Sequence, residues 1–178
     1  MASSCWALSK ISRLADKKSL KAIYYATIHP HLKSGITCWG AIPLSKRNNL
    51  IQLQKRAIRY ISKSTRLAHT TELFADLRIL KLPDLYRQQV LMVMHKVNNN
   101  SWRGNLLLEK SSTIHDHHTR FSKNENYSFP QMKSNLGKNS FNFMGPKIWA
   151  EIENSLKRLP LKRFKNCIST MMINEYKE

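Results

Sequence analysis

Lys55, Arg59 and Lys63 recur at i, i+4 and i+8, with Arg56 beside them and Arg66 just beyond. On a helix this spacing gathers the charges on one face, opposite an apolar stripe, and no acid in the segment neutralises them. Unpaired like charges one turn apart cost about a few tenths of a kcal/mol each. A bound anion offsets that cost, and the phosphates of a nucleic-acid backbone fit such a row; a solvated charged face is the plain alternative. Lys46 and Arg47 extend the row at the start of the segment, where they also oppose the helix macrodipole. Arg120, Lys133 and Lys138 are further candidates from a later, loop-like region.

Other chemistry finds less support. His115-Asp116-His117-His118 is the one cluster with metal-ligand residue types. Neighbours on an extended chain point to opposite sides, and no Cys or acidic motif elsewhere completes a ligand spacing, so a polar loop without metal is expected. There is no GxGxxG, no P-loop and no GxSxG elbow, and no cofactor is expected. Residues 1–70 carry thirteen Lys and Arg against a single acid, Asp16. Mg²⁺-dependent phosphoryl transfer needs converging carboxylates, which these seventy residues cannot supply. The whole chain has a net charge of +19, which calls for an anionic partner: nucleic acid first, an acidic protein or membrane surface behind it.

The 178 residues allow one domain or one and a half, and 42% hydrophobic content suffices for a core. Cys5, Cys38 and Cys167 are odd in number and far apart, which suits ordinary thiols in a reducing compartment. The start lacks the apolar core of a signal peptide, and the run Val90 to Met94 is too short to span a bilayer. A soluble protein of the nucleus or cytoplasm is expected.

The first hundred residues read as helices. Ala7, Leu8, Ile11, Leu14 and Ala15 form one stripe; Asp16 caps a second helix with Leu20, Ile23, Tyr24, Thr27, Ile28, His31 and Leu32 on its inner face. Pro30 kinks or ends it, and Gly35 and Gly40 mark a turn-rich exit. Ser45 caps a third helix that buries Leu50, Leu53, Ala57, Ile58 and Ile61. A short helix covers Thr71 to Leu77, and a longer one from Pro83 buries Tyr86, Val90, Val93, Met94 and Val97. Residues 102 to 140 lack periodicity, with room for a short hairpin near Tyr127 to Phe143. Helix returns at Gly145-Pro146, breaks at Leu159-Pro160 and resumes with Leu161, Phe164, Ile168, Met171 and Met172 inside. Trp6, Trp39 and Trp149 are expected in the core, and Trp102 outside it.

Several stretches in order resemble non-LTR (LINE, jockey-like) retrotransposon reverse transcriptases, in the region just after the palm. They are Ser4-Cys-Trp-Ala-Leu-Ser-Lys-Ile, Lys18-Ser-Leu-Lys-Ala-Ile-Tyr-Tyr and His29-Pro-His-Leu-Lys-Ser-Gly-Ile-Thr-Cys-Trp-Gly40. Leu53-Gln-Lys-Arg-Ala-Ile-Arg-Tyr-Ile looks like that family's basic helix. Glu72-Leu-Phe, Ile79-Leu-Lys-Leu-Pro83, Ile114-His-Asp-His-His-Thr-Arg120, Asn135-Leu-Gly-Lys-Asn-Ser140 and Gly145-Pro-Lys-Ile-Trp149 follow. The resemblance implies a thumb and C-terminal segment that helps hold the template–primer hybrid.

The family's Tyr-x-Asp-Asp motif is absent, since no two Asp are adjacent, and so are the endonuclease and any Cys-His knuckle. The expectation is therefore a mainly α helical bundle with a loop-rich basic segment. Residues 1–100 form a thumb-like helical domain, 101–140 a basic linker and 141–178 a C-terminal helical segment. It binds RNA or DNA, as a hybrid or duplex backbone, and is no enzyme alone; a palm-bearing polymerase segment is a second candidate partner. The rival is a helical interaction module docking on an acidic protein or membrane surface. Charge spread over several helices counts against the membrane version.

Overall fold

A computed structural model describes residues 1–104, 106, 108–114 and 126–177. The chain is mainly α, as expected: 67% is helix, with no sheet among the described residues. Twelve helices are described: α1 (Ala2–Ile11), α2 (Lys17–Thr27), α3 (His29–Lys33), α4 (Ile36–Trp39), α5 (Leu44–Ser62), α6 (Thr70–Leu77), α7 (Leu82–Asn98), α8 (Ser111–Ile114), α9 (Asn135–Lys138), α10 (Phe141–Ala150), α11 (Asn154–Lys157) and α12 (Leu161–Asn174). The chain divides into two compact units, with the boundary falling inside α4, α7 and α12.

The first unit comprises Met1–Ile36, Ile42–Tyr86 and Ser169–Glu178. Its α2 begins where Asp16 accepts a hydrogen bond from the Lys18 N–H (3.1 Å), the cap that the sequence calls for. The 3.6-residue period then turns Leu20, Tyr24, Ile28 and, across the break at Pro30, Leu32 inward. Gly35 takes a φ of 60° after α3, a conformation that glycine adopts without a Cβ clash.

On α5 the buried face is Gln54, Ala57, Ile58 and Ile61, while Leu50 and Leu53 are only half-buried. Gln54 is 1% exposed. Its Nε2 donates to the Tyr24 hydroxyl (3.0 Å) and the Leu80 carbonyl (2.9 Å), and its Oε1 accepts from the Leu82 N–H (3.0 Å). One amide thereby joins α2, α5 and the start of α7, and its burial is tolerated because its polar atoms are partnered. The unit is closed by Tyr176, whose hydroxyl donates to Asp84 and accepts from the Lys81 N–H (3.1 Å).

Burial raises the pKa of both Tyr24 and Tyr176, and the hydrogen bond to Asp84 adds to the rise at Tyr176. The sign follows by linkage. The native state holds these protons more tightly than the unfolded chain, whose tyrosines ionise near pH about 10. The stabilisation is complete below that pH and is lost as pH rises above it toward the native values. The urea midpoint should fall in alkali, and it should fall less steeply in a Tyr24→Phe, Tyr176→Phe chain. Parallel pH curves for the two proteins would refute this assignment.

The second unit comprises Thr37–Ala41 and Arg87–Ile168. Its core gathers Val90, Leu91, Met94, Tyr127, Ile148, Trp149 and Phe164. His95 is buried among them, stacked on Phe164 with ring centroids 4.6 Å apart. Its Nε2 lies 2.8 Å from the Leu159 carbonyl and its Nδ1 3.1 Å from the Asn99 amide nitrogen. A carbonyl can only accept, so Nε2 is the donor in the contact with Leu159.

Ser45 lies inside α5 rather than capping it, Thr27, His31, Leu161 and Met171 are exposed rather than inside, and three further local expectations are corrected. The hairpin near Tyr127 to Phe143 does not form; an isolated antiparallel bridge joins Lys110 and Tyr127, residues 128–134 are irregular, and α9 and the start of α10 follow. Pro146 does not begin α10 but lies inside it, after the cap position Ser140. The proline removes one backbone donor, yet the turn persists because Gly145, Pro146, Ile148 and Trp149 are all buried there. Gly145 is closely packed: a Cβ would stand 2.9 Å from the Met94 sulfur, so that side chain would have to shift. Third, the α1 stripe breaks off. The helix ends at Ile11, and Leu14 is 91% exposed in the turn beyond it.

Candidate nucleic-acid interface

The basic residues of α5 acquire their setting from α1. The two helices pack together, with the Cys5 thiol donating to the Leu53 carbonyl at 3.7 Å. Burial pushes the Cys5 thiol pKa up, and the positive charge of Arg56 works against that rise. Just past the end of α1, Ser12 and Arg13 come alongside Arg59, Tyr60, Lys63 and Ser64.

Three clefts share Tyr60 in the first unit. The largest, about 600 Å³, is lined by Gln52, Arg56, Arg59, Tyr60, Ser64, Arg66 and Leu67. One of about 270 Å³ has Ser12, Arg13, Arg59, Tyr60, Lys63 and Ser64 as its walls. A third, about 430 Å³, lies between Ser9, Lys10, Ser12, Arg13 and Tyr60. No Asp or Glu lines any of the three.

Two local devices shape this surface. Lys63 adopts the left-handed conformation (φ 52°) at the end of α5. Its N–H bonds to the Tyr60 carbonyl (3.3 Å), and the Ser64 N–H bonds to the Arg59 carbonyl (3.0 Å). This pair of bonds closes a helix C-terminus and turns the chain sharply. Arg59 then donates through Nε to the Ala68 carbonyl (3.1 Å), which folds residues 64–68 back beside the helix. That bond uses one of the five N–H donors of the guanidinium.

Helix dipoles help explain why so many cations tolerate one another here. Lys10 lies in the last turn of α1 and Arg59 in the last turn of α5, so each sits at the negative end of its helix.

The structure brings together only part of the expected set. Arg56, Arg59 and Arg66 meet in the largest cleft, and Lys63 lines the adjoining one. Lys55 shares the α5 face but is half-buried and lines none of the three. Lys46 and Arg47 do not extend the face. They lie thirteen and twelve residues before Arg59, which at 3.6 residues per turn is about 140° and 120° around the helix. Arg47 is half-buried, close enough to Tyr86 for its charge to bear on that phenol. Lys133 and Lys138 are exposed in the second unit. Arg120 and the cluster His115, Asp116, His117 and His118 lie outside the described residues. Among the described residues, no group of three or more His, Cys, Asp or Glu could hold a metal ion.

Sequence reasoning missed Lys10, Arg13 and Tyr60, and it misplaced Trp6. Trp6 is 66% exposed rather than buried, with the Lys10 ammonium 5.5 Å from its ring centroid. The available signal was Trp6, Lys10 and Arg13 at i, i+4 and i+7, a helical face parallel to the apolar one. Trp149 is fully buried and Trp102 exposed, as expected.

No helix among the described residues is long and apolar enough to cross a membrane. No family model, curated protein or solved structure matches the chain.

Proposed function

We propose that the first unit grips the sugar–phosphate backbone of nucleic acid and takes no catalytic part in phosphoryl transfer by itself. The observation that carries this reading is the meeting of Lys10, Arg13, Arg56, Arg59, Lys63 and Arg66 around Tyr60 with no carboxylate among them. Cations so placed release counterions from a phosphate backbone and position it without reading sequence. Arginine suits the role, because its planar fork can give two parallel hydrogen bonds to one phosphate.

The resemblance to retrotransposon reverse transcriptases supports the same role, that of a thumb-like part holding template and primer beside a palm. On this reading the polymerase segment is a second partner, and the working compartment is the nucleus or the cytoplasm. The charge also suits an acidic protein surface, and one titration separates the two partners. Binding of duplex or single-stranded nucleic acid should be independent of sequence. Its log K should fall steeply with log salt, by about 0.9 per phosphate neutralised on duplex DNA. An acidic protein captured in preference to nucleic acid at equal salt would sink the reading.

The purified chain should neither extend a primer nor cut nucleic acid when Mg²⁺ or Mn²⁺ is added. Two-metal phosphoryl transfer needs clustered carboxylates, and no two Asp are adjacent in this sequence. Template-dependent incorporation that survives a mock-purification control would overturn the non-catalytic assignment.

A further inference from the structure

We propose that the Tyr60 cleft takes one unpaired nucleotide, its base against the tyrosine ring and its flanking phosphates on Arg56 and Arg66. The first unit then holds an unpaired stretch of strand through a base as well as through its phosphates. The inference rests on the backbone-gripping reading above and adds to it the class of nucleic acid and a task for Tyr60.

Cations alone would serve a duplex, which offers a protein its phosphates and groove edges while the faces of its bases stay stacked inside. The hydroxyl of Tyr60 could donate to a duplex phosphate, but the face of its ring, common to three cationic clefts, would have no base to stack on in that arrangement. With a single strand it has: every base presents a π-face, and stacking on an aromatic side chain is tolerant of sequence. The dimensions agree. A volume of about 600 Å³ lies within the range of roughly 300–1,000 Å³ typical of small-ligand clefts.

The remaining walls suit a base as well. Gln52 and Ser64 each carry a group able to donate or accept, so they can meet the edge of any base. Leu67, 90% exposed at the lip, offers apolar contact to a sugar or a base. A strand continuing from Tyr60 along α1 would meet Arg13, then Lys10, then the exposed ring of Trp6. That alternation of cations and aromatics is how sequence-tolerant single-strand sites are built.

The test uses the full chain and three labelled probes at one salt concentration: an oligothymidylate strand, the same strand made abasic through its middle, and a duplex of equal length. The native chain should bind the base-bearing strand about 5- to 150-fold more tightly than the abasic one, the fold-change expected of one base–aromatic stack. Tyr60→Leu should remove most of that preference, and Tyr60→Phe, which keeps the ring, should restore it. Equal affinity of the native chain for the base-bearing and abasic strands would overturn the proposal, and this comparison needs no variant to fold. A preference that survived in Tyr60→Leu would overturn the role of Tyr60. Failure to bind any of the probes would overturn the backbone-gripping reading too, so the two failures are distinguishable.

Discussion

With Lys10, Arg13, Arg56 and Arg66 all changed to Gln, the slope of log K against log salt falls by about 3 on a single strand and nearer 4 on duplex DNA. At about 0.1 M salt that loss corresponds to binding on the order of a thousandfold weaker. All four side chains are exposed, so the fold should tolerate the changes. Arg59 is left in place because its bond to Ala68 shapes the cleft wall.

The decisive comparison is a second variant with Lys17, Lys18, Lys33 and Lys46 changed to Gln. These side chains are equally exposed and also in the first unit, but they line none of the clefts around Tyr60. Both variants carry four fewer charges than the native +19. If general charge governed binding, the two slopes would fall together. If the convergence around Tyr60 governs it, the second variant should change the slope by less than about 1. Equal losses would return the basic face to the status of a solvated surface.

The second large effect concerns stability. Gln54→Leu keeps the approximate volume of the side chain but leaves the Leu82 N–H, the Leu80 carbonyl and the Tyr24 hydroxyl without their partner. Each buried group so orphaned costs about 1–3 kcal/mol. Together they should lower stability by roughly 3 kcal/mol or more, a large share of the 5–15 kcal/mol typical of a folded domain. Urea unfolding followed by circular dichroism reads this directly, in whichever transition Tyr24→Phe also shifts. Adding Tyr24→Phe to Gln54→Leu removes the orphaned phenol and should recover about 1 kcal/mol. A total loss below about 1 kcal/mol would mean that water replaces the amide at these positions.

Much of the helical order was legible in the residues because its causes are local. The Asp16 carboxylate caps α2 through the amide of Lys18, two residues on, and needs no distant partner. Leu20, Tyr24, Ile28 and Leu32 announce their inner face by spacing alone, and Pro30 and Pro160 interrupt helices by steric rules that act within a turn. The excess of positive charge is likewise a matter of counting.

What depended on the tertiary structure is everything that needs two remote segments to meet. The end of α1 was invisible to its apolar spacing, so Leu14 was expected inside and Trp6 with it. Gln54 reads as a surface residue until Tyr24, Leu80 and Leu82 surround it. Lys157 does as well, until its ammonium donates to the Asn126 side chain at 2.8 Å and lies 5.3 Å from the ring centroid of Trp149. The basic face of α5 belongs to the same class. Periodicity gathered Lys55, Arg59 and Lys63, but packing against α1 chose Arg13, Arg56, Arg59 and Arg66 and set Tyr60 among them. The physical reason is range. Capping and chain stiffness act over a few residues, whereas burial is decided by whichever distant surface excludes the water.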